Sequence, residues 1–63
     1  MSIEIKTYEV CAGGYDDDEP NYKYIDSFDC WSAAHDAYKS VSDYTWSYIL
    51  HTSTNVVLMG VKP

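Results

Sequence analysis

Residues 45–62 read TWSYILHTSTNVVLMGVK, and this stretch decides the fold. Its first part alternates as a strand does, TSTN at 52–55 is typical of a turn, and a second apolar run follows. A turn centred on Ser53-Thr54 makes the two runs an antiparallel hairpin with one face under a helix. The pairs that we expect on the face beneath the helix are Leu50–Val57, Tyr48–Met59 and Trp46–Val61.

The opposite face of this hairpin is also apolar. Ile49, Val56 and Leu58 are more aliphatic side chains than a solvated face needs. A contiguous uncovered patch usually marks a partner or dimer contact. One alternative is that the loop of the first hairpin folds over this face. Another is a longer turn, which shifts the register but still leaves apolar residues on both faces.

The N-terminal half of the chain predicts another hairpin. Residues 2–11 alternate as a strand with an irregularity at Thr7, and residues 22–26 predict a second strand. In that second strand Tyr22 and Tyr24 share one face. Between the two strands, residues 12–21 contain two Gly, one Pro and four consecutive acids, which predicts a long acidic loop.

An amphipathic helix is predicted between the hairpins, over residues 28–42. Asp26 or Ser27 can cap its start, and Asp29 lies in the first turn, where the helix dipole favours an anion. The whole chain, residues 1–63, then forms one small acidic α+β domain. We expect a four-stranded antiparallel sheet in ββαββ order, with the helix packed on one face. The side chains predicted to face the sheet are Cys30, Trp31, Ala34, Ala37, Tyr38 and Val41.

The charge balance excludes several classes of function. Ten Asp and Glu against four Lys and no Arg give a net charge of −6, which opposes direct binding to nucleic acid. No apolar run approaches the roughly 18 residues of a membrane span. The N-terminus lacks the basic and then apolar pattern of a secretory signal, so we expect a cytoplasmic protein. Cys11 and Cys30 are then reduced thiols, with a single disulfide as the geometric alternative.

No arrangement of residues predicts catalysis, a cofactor or a metal site. The acids after Gly13 and Gly14 depart from a calcium loop, because Pro20 takes the place of a ligand and Ser27 that of the closing Glu. His35 and His51 have no positioned partner, as a catalytic base requires. We therefore predict a protein that is not an enzyme.

Acids and tyrosines are the residues that point to binding. Asp29, Asp36 and Asp43 are seven apart, so on a continuous helix they form one outer stripe. Seven Tyr are more than a core of this size needs, and Tyr beside acid suits a partner rich in Arg and Lys. The predicted partner-binding residues are Tyr15, Asp16, Asp17, Asp18, Glu19, Tyr22, Tyr24, Asp29, Asp36 and Asp43.

In size, charge and α+β order the chain is similar to small acidic proteins of bacteriophages and mobile elements. That resemblance covers no diagnostic motif, and it implies a protein that binds and blocks a host component of restriction, CRISPR or transcription. We expect a non-catalytic inhibitor that docks on a basic, nucleic-acid-handling site. The alternative is a small assembly protein that forms a homodimer or joins a complex through Ile49, Val56 and Leu58.

Overall fold

Four strands and one helix follow one another along residues 7–63, the part of the chain that the computed structural model describes. In chain order the elements are β1 (Tyr8–Asp16), β2 (Glu19–Phe28), α1 (Trp31–Ser40), β3 (Trp46–His51) and β4 (Val56–Gly60). The sheet order is β2-β1-β3-β4, and all neighbouring strands are antiparallel. The predicted α+β fold and its ββαββ order are confirmed. Of the predicted first strand, residues 2–6 lie outside the described residues.

Helix α1 covers the sheet face that carries Val10, Ala12 and Ile49, three side chains with no exposed surface. Ala34 of the helix and Val41 just beyond it complete this cluster. Alanines on both the helix and the sheet let the two backbones approach closely, so that the aliphatic side chains fill the space between them. The prediction that placed Ile49 on an uncovered face is therefore wrong.

The sheet face away from the helix carries a second cluster, formed by Cys11, Trp46 and Tyr48 with Leu50 and Val57 packed against them. The prediction that Trp46, Tyr48, Leu50 and Val57 lie beneath the helix is therefore wrong. Both faces of β3 are apolar. Alternation along the regular strand β3 therefore groups its residues by face but does not establish which face receives the helix.

The helix is shorter than predicted, because β2 continues through Phe28 into the residues expected to begin it. Residue Cys30 is the N-cap in an extended conformation, and its carbonyl accepts the Ala34 N–H at 3.1 Å. The expected caps, Asp26 and Ser27, lie in the strand instead, where the Asp26 carboxylate accepts the Ser27 N–H at 2.9 Å. Of the predicted sheet-facing residues, Ala34 and Val41 are buried, Ala37 and Tyr38 are partly buried, and Cys30 and Trp31 are exposed.

The predicted loop over residues 12–21 is almost entirely strand. Only Asp17 and Asp18 form the turn, with φ of 50° and 68°. Positive φ at both central residues is the geometry of a type I′ turn, which matches the twist of a hairpin and which Asp tolerates better than most residues. Gly13 is required beside it, because a Cβ there would lie 2.0 Å from the Asn21 carbonyl oxygen.

Two irregularities change the expected registers. Ala12 pairs with Tyr24 and Gly13 with Tyr22, which leaves Lys23 without a partner in β1. This bulge sends Tyr22 and Tyr24 to opposite faces, so the prediction that they share one is wrong.

In the second hairpin the Leu50–Val57 pair is confirmed, but Ile49 pairs with Met59 and Tyr48 with Gly60. The predicted pairs Tyr48–Met59 and Trp46–Val61 are therefore wrong, because Leu58 forms a second bulge. Gly60, at φ 83°, makes the close approach that this register needs, since a Cβ there would lie 2.1 Å from the carbonyl oxygen of Ser47.

Candidate interaction surfaces

The first hairpin continues past the rest of the sheet. Strand β3 begins at Trp46, which pairs with Gly13, so residues 14–21 extend beyond the end of β3 as a two-stranded projection. We call residues 14–21 the acidic arm. Its residues from Tyr15 onward are all exposed.

Four carboxylates occupy the tip of the acidic arm. Asp16 and Glu19 end the two strands as a cross-strand pair, and Asp17 and Asp18 form the turn between them. Within residues 7–63, no hydrogen bond or ion pair engages any of these four carboxylates. The charges therefore repel one another and remain available to a cationic partner.

Aromatic side chains hold the base of the arm. The Trp46 indole N–H donates a hydrogen bond of 2.7 Å to the Gly14 carbonyl, and its ring lies against Gly13. Tyr22 packs edge-on against Trp46 at 4.7 Å between ring centroids, and its hydroxyl is 3.1 Å from that of Tyr48. These contacts fasten the base of the arm to β3.

The three predicted tyrosine anchors differ in what they can contribute to a partner contact. Tyr15 is 56% exposed, whereas part of the Tyr22 ring is covered by its contacts with Trp46 and Tyr48. Tyr24 packs beside the helix-side core, and burial, followed by the charge of Asp26, raises the pKa of its hydroxyl. Only Tyr15 therefore presents most of its ring to the surroundings of the arm.

The predicted stripe of helix acids does not form as expected. Only Asp36 lies within α1; Asp29 precedes the helix and Asp43 follows it. All three are exposed, but the regular advance of about 100° per residue does not extend to the two outer positions. The concentrated charge of the molecule is therefore at the arm tip.

Strand β4 gives the sheet an open apolar edge. Its outer side has no neighbouring strand among the described residues. Val56, Leu58 and Met59 are 51%, 45% and 38% exposed, and Val61 beyond them is 72% exposed. Of the predicted dimer face, Val56 and Leu58 are accessible, and Ile49 is buried.

An open cavity of about 340 Å³ lies at the base of the acidic arm. It forms where the ends of β1, α1 and β4 meet the start of β3, so its members are scattered through the sequence. Tyr38 and Tyr44 line the cavity, although neither was predicted to belong to a site. The concentration of aromatic residues between Tyr38 and Tyr48 was the sequence feature that could have indicated it. The lining residues are Tyr15, Tyr38, Ser42, Tyr44, Thr45, Trp46, Ser47, Gly60 and Val61.

The thiols and imidazoles form no recognisable catalytic group within residues 7–63. Cys11 is buried and unbonded to Cys30, and desolvation by burial raises the pKa of its thiol to about 11, so it is protonated at neutral pH. His51 Nδ1 lies 2.9 Å from the Thr54 hydroxyl, and the His35 ring packs at 5.8 Å from Trp31. Across the same residues, no three His, Cys, Asp or Glu side chains are grouped as a metal site would require.

Comparison with protein-family models, with curated proteins and with solved structures finds no match to this chain. Along residues 7–63, no helix has the length and apolar character needed to cross a bilayer.

Proposed function

We propose that this protein is a non-catalytic inhibitor that inserts its acidic arm into a basic, nucleic-acid-handling site of a partner protein. The observation that carries the proposal is the cluster of four exposed carboxylates at a two-residue turn, on an arm anchored by Trp46. A rigid arm loses little conformational freedom on binding, so more of its contact energy remains as affinity.

The density of charge at the arm tip suits a site built for nucleic acid. The four acids Asp16, Asp17, Asp18 and Glu19 surround one two-residue turn, with Asp16 and Glu19 paired across the strands. Their charges are therefore concentrated at one end of the hairpin, where a site that binds phosphates would meet several carboxylates together. Asp29, Asp36 and Asp43 are farther apart in sequence and supply a general negative field instead.

The partner expected for this surface is rich in Arg and Lys. Such side chains form charge-assisted hydrogen bonds with carboxylates and cation–π contacts with Tyr15. Opposite charge also accelerates association, and salt reduces that effect. Occupation of the partner's basic site would exclude its nucleic acid, which is the basis of inhibition.

The test is affinity capture from a bacterial lysate at low and high salt, followed by competition between the captured partner's nucleic acid and this chain. The diagnostic variant carries Asp16→Asn, Asp17→Asn, Asp18→Asn and Glu19→Gln together, which removes the tip charge and keeps the side-chain shapes. A matched control carries Asp29→Asn, Asp36→Asn and Asp43→Asn. We expect the arm variant to lose the partner and the control to retain most binding; equal binding by the arm variant would contradict the proposal.

A second candidate function is assembly through β4, which its open edge and exposed apolar side chains favour. Residues 52–61 carry no Asp, Glu, Lys or Arg, so two copies could pair there without direct charge repulsion. Light scattering across a concentration series tests this function. A dimer that Leu58→Asp breaks and that Ile25→Asp leaves intact supports it, because Ile25 is an aliphatic residue that is 59% exposed, against 45% for Leu58, and lies on the opposite edge strand. A monomer at every concentration would remove it.

A further inference from the structure

We propose that the cavity at the base of the acidic arm is a subsite for the guanidinium group of an arginine on the partner. This inference rests on the proposed function, since it specifies how the same partner would be held next to the arm. The arm tip supplies charge, and the cavity supplies a shaped position for one cationic side chain.

The cavity is large enough to admit one side chain of a partner. Its volume of about 340 Å³ lies at the lower end of the range of roughly 300–1,000 Å³ that is usual for ligand sites. Tyr15 belongs both to the acidic arm and to the cavity wall, and Asp16 follows it directly. A partner chain in contact with the arm tip would therefore pass the mouth of the cavity.

The cavity lining combines aromatic rings with hydroxyl groups. Tyr15 and Tyr44, which are 56% and 37% exposed, line the cavity, and the planar guanidinium group of Arg stacks on such rings. Hydroxyls of Ser42, Thr45 and Ser47 and nearby main-chain carbonyls can accept hydrogen bonds from the five guanidinium N–H groups.

Electrostatics favour a cation over an anion in this cavity. No Lys belongs to the lining, although Lys39 and Lys62 each follow a lining residue in the sequence. In the sequence, Asp43 lies between two lining residues and Asp16 directly follows the lining residue Tyr15. Together with the net charge of −6, these positions disfavour a phosphate or carboxylate ligand.

The test uses N-acetyl-arginine amide as the probe, titrated into the full chain and followed by amide and indole NMR signals. The matched probes are the citrulline analogue, which has the same shape without the charge, and the lysine analogue. At about 0.15 M salt, where the Debye length is about 8 Å, we expect saturable shifts at the Trp46 indole and at Tyr15, Tyr44 and Thr45. Citrulline should bind at least about fivefold more weakly, and lysine should also be weaker.

Variants of Tyr44 separate the π contribution from simple exclusion of water. Tyr44 is 37% exposed, so its replacement should leave the fold intact. Tyr44→Phe keeps the ring and should retain arginine binding, whereas Tyr44→Leu should weaken it by about fivefold. Equal binding of arginine and citrulline, or shifts confined to the arm tip, would overturn the inference.

The two proposals can fail separately. If partner capture depends on the arm charges but the arginine probe does not shift the cavity signals, the subsite is wrong and the proposed function stands. If the probe binds in the cavity but capture is indifferent to the arm charges, the proposed function is wrong as stated.

Discussion

The two hairpins of this protein differ in the surface that they expose: the first is acidic and the second is apolar. The first carries four consecutive acids at its tip and extends beyond the sheet, yet it is ordered because Trp46 and Tyr22 fasten its base. The second carries no charge over residues 52–61 and exposes aliphatic side chains at the sheet edge. The comparison teaches that a charged projection can be rigid when a few buried aromatic contacts hold its base.

Trp46→Ala should have the largest effect on this comparison, because it removes the contacts that hold the base of the acidic arm. It removes a buried indole, its hydrogen bond to Gly14 and its contact with Tyr22, so we expect a loss of about 3–5 kcal/mol in the free energy of unfolding. Urea unfolding followed by circular dichroism measures the loss. Trp31→Ala is the matched control, because Trp31 is 41% exposed, and its cost should be well under half as large.

Alkaline pH should lower the free energy of unfolding through the buried cluster of Cys11, Trp46 and Tyr48. The folded state raises the pKa of the Cys11 thiol from 9.0 to about 11, chiefly through desolvation by burial. The unfolded chain therefore releases this proton first, so the stabilisation is complete below pH 9 and is lost as pH rises through 11. Burial also raises the pKa of Tyr48, which acts in the same direction.

The expected loss from Cys11 alone is about 2 kcal/mol between pH 8 and pH 11. Urea unfolding at a series of pH values measures it. Cys11→Ala should be less stable at neutral pH but should show a smaller decline with pH. An identical decline in both proteins would show that the buried thiol does not govern this dependence.

A substitution in the turn of the acidic arm should have a smaller effect on stability, and of the opposite sign. Asp18→Gly should stabilise the fold by about 0.5–1 kcal/mol, because Gly adopts the required φ of 68° without strain and one repelling charge disappears. Asp36→Gly removes one charge as well, but it lies within α1 and should destabilise by about 0.3 kcal/mol, because Gly is a slightly poorer helix former than Asp. Thermal unfolding of the two variants compares these signs, and a loss of stability in Asp18→Gly would contradict the turn assignment.

The element order was predictable because local patterns determine it. Alternation from Trp46 to His51 and the polar TSTN segment indicate β3 and its turn without tertiary information. The helix start was not predictable in the same way. Asp26 and Ser27 are good caps, but the pairing of Tyr8 with Phe28 and of Glu9 with Ser27 extends β2 through them.

Registers and sites depend on information that the local pattern lacks. The bulges at Lys23 and Leu58 arise from pairing between strands, and each redirects the following side chains. The same limit hid the cavity, whose Tyr15, Tyr38 and Tyr44 come together only when the ends of several elements meet. The acids at 16–19 were identified from sequence because consecutive charges remain adjacent in any fold.

The most direct test of the central claim is the salt dependence of partner binding by the wild-type chain and by the fourfold arm variant. If the acidic arm docks on a basic site, the wild-type dissociation constant should rise at least about tenfold between roughly 0.1 and 0.5 M salt. The arm variant should bind more weakly at low salt and respond much less to added salt. Equal affinities and equal salt slopes for the two proteins would contradict the account.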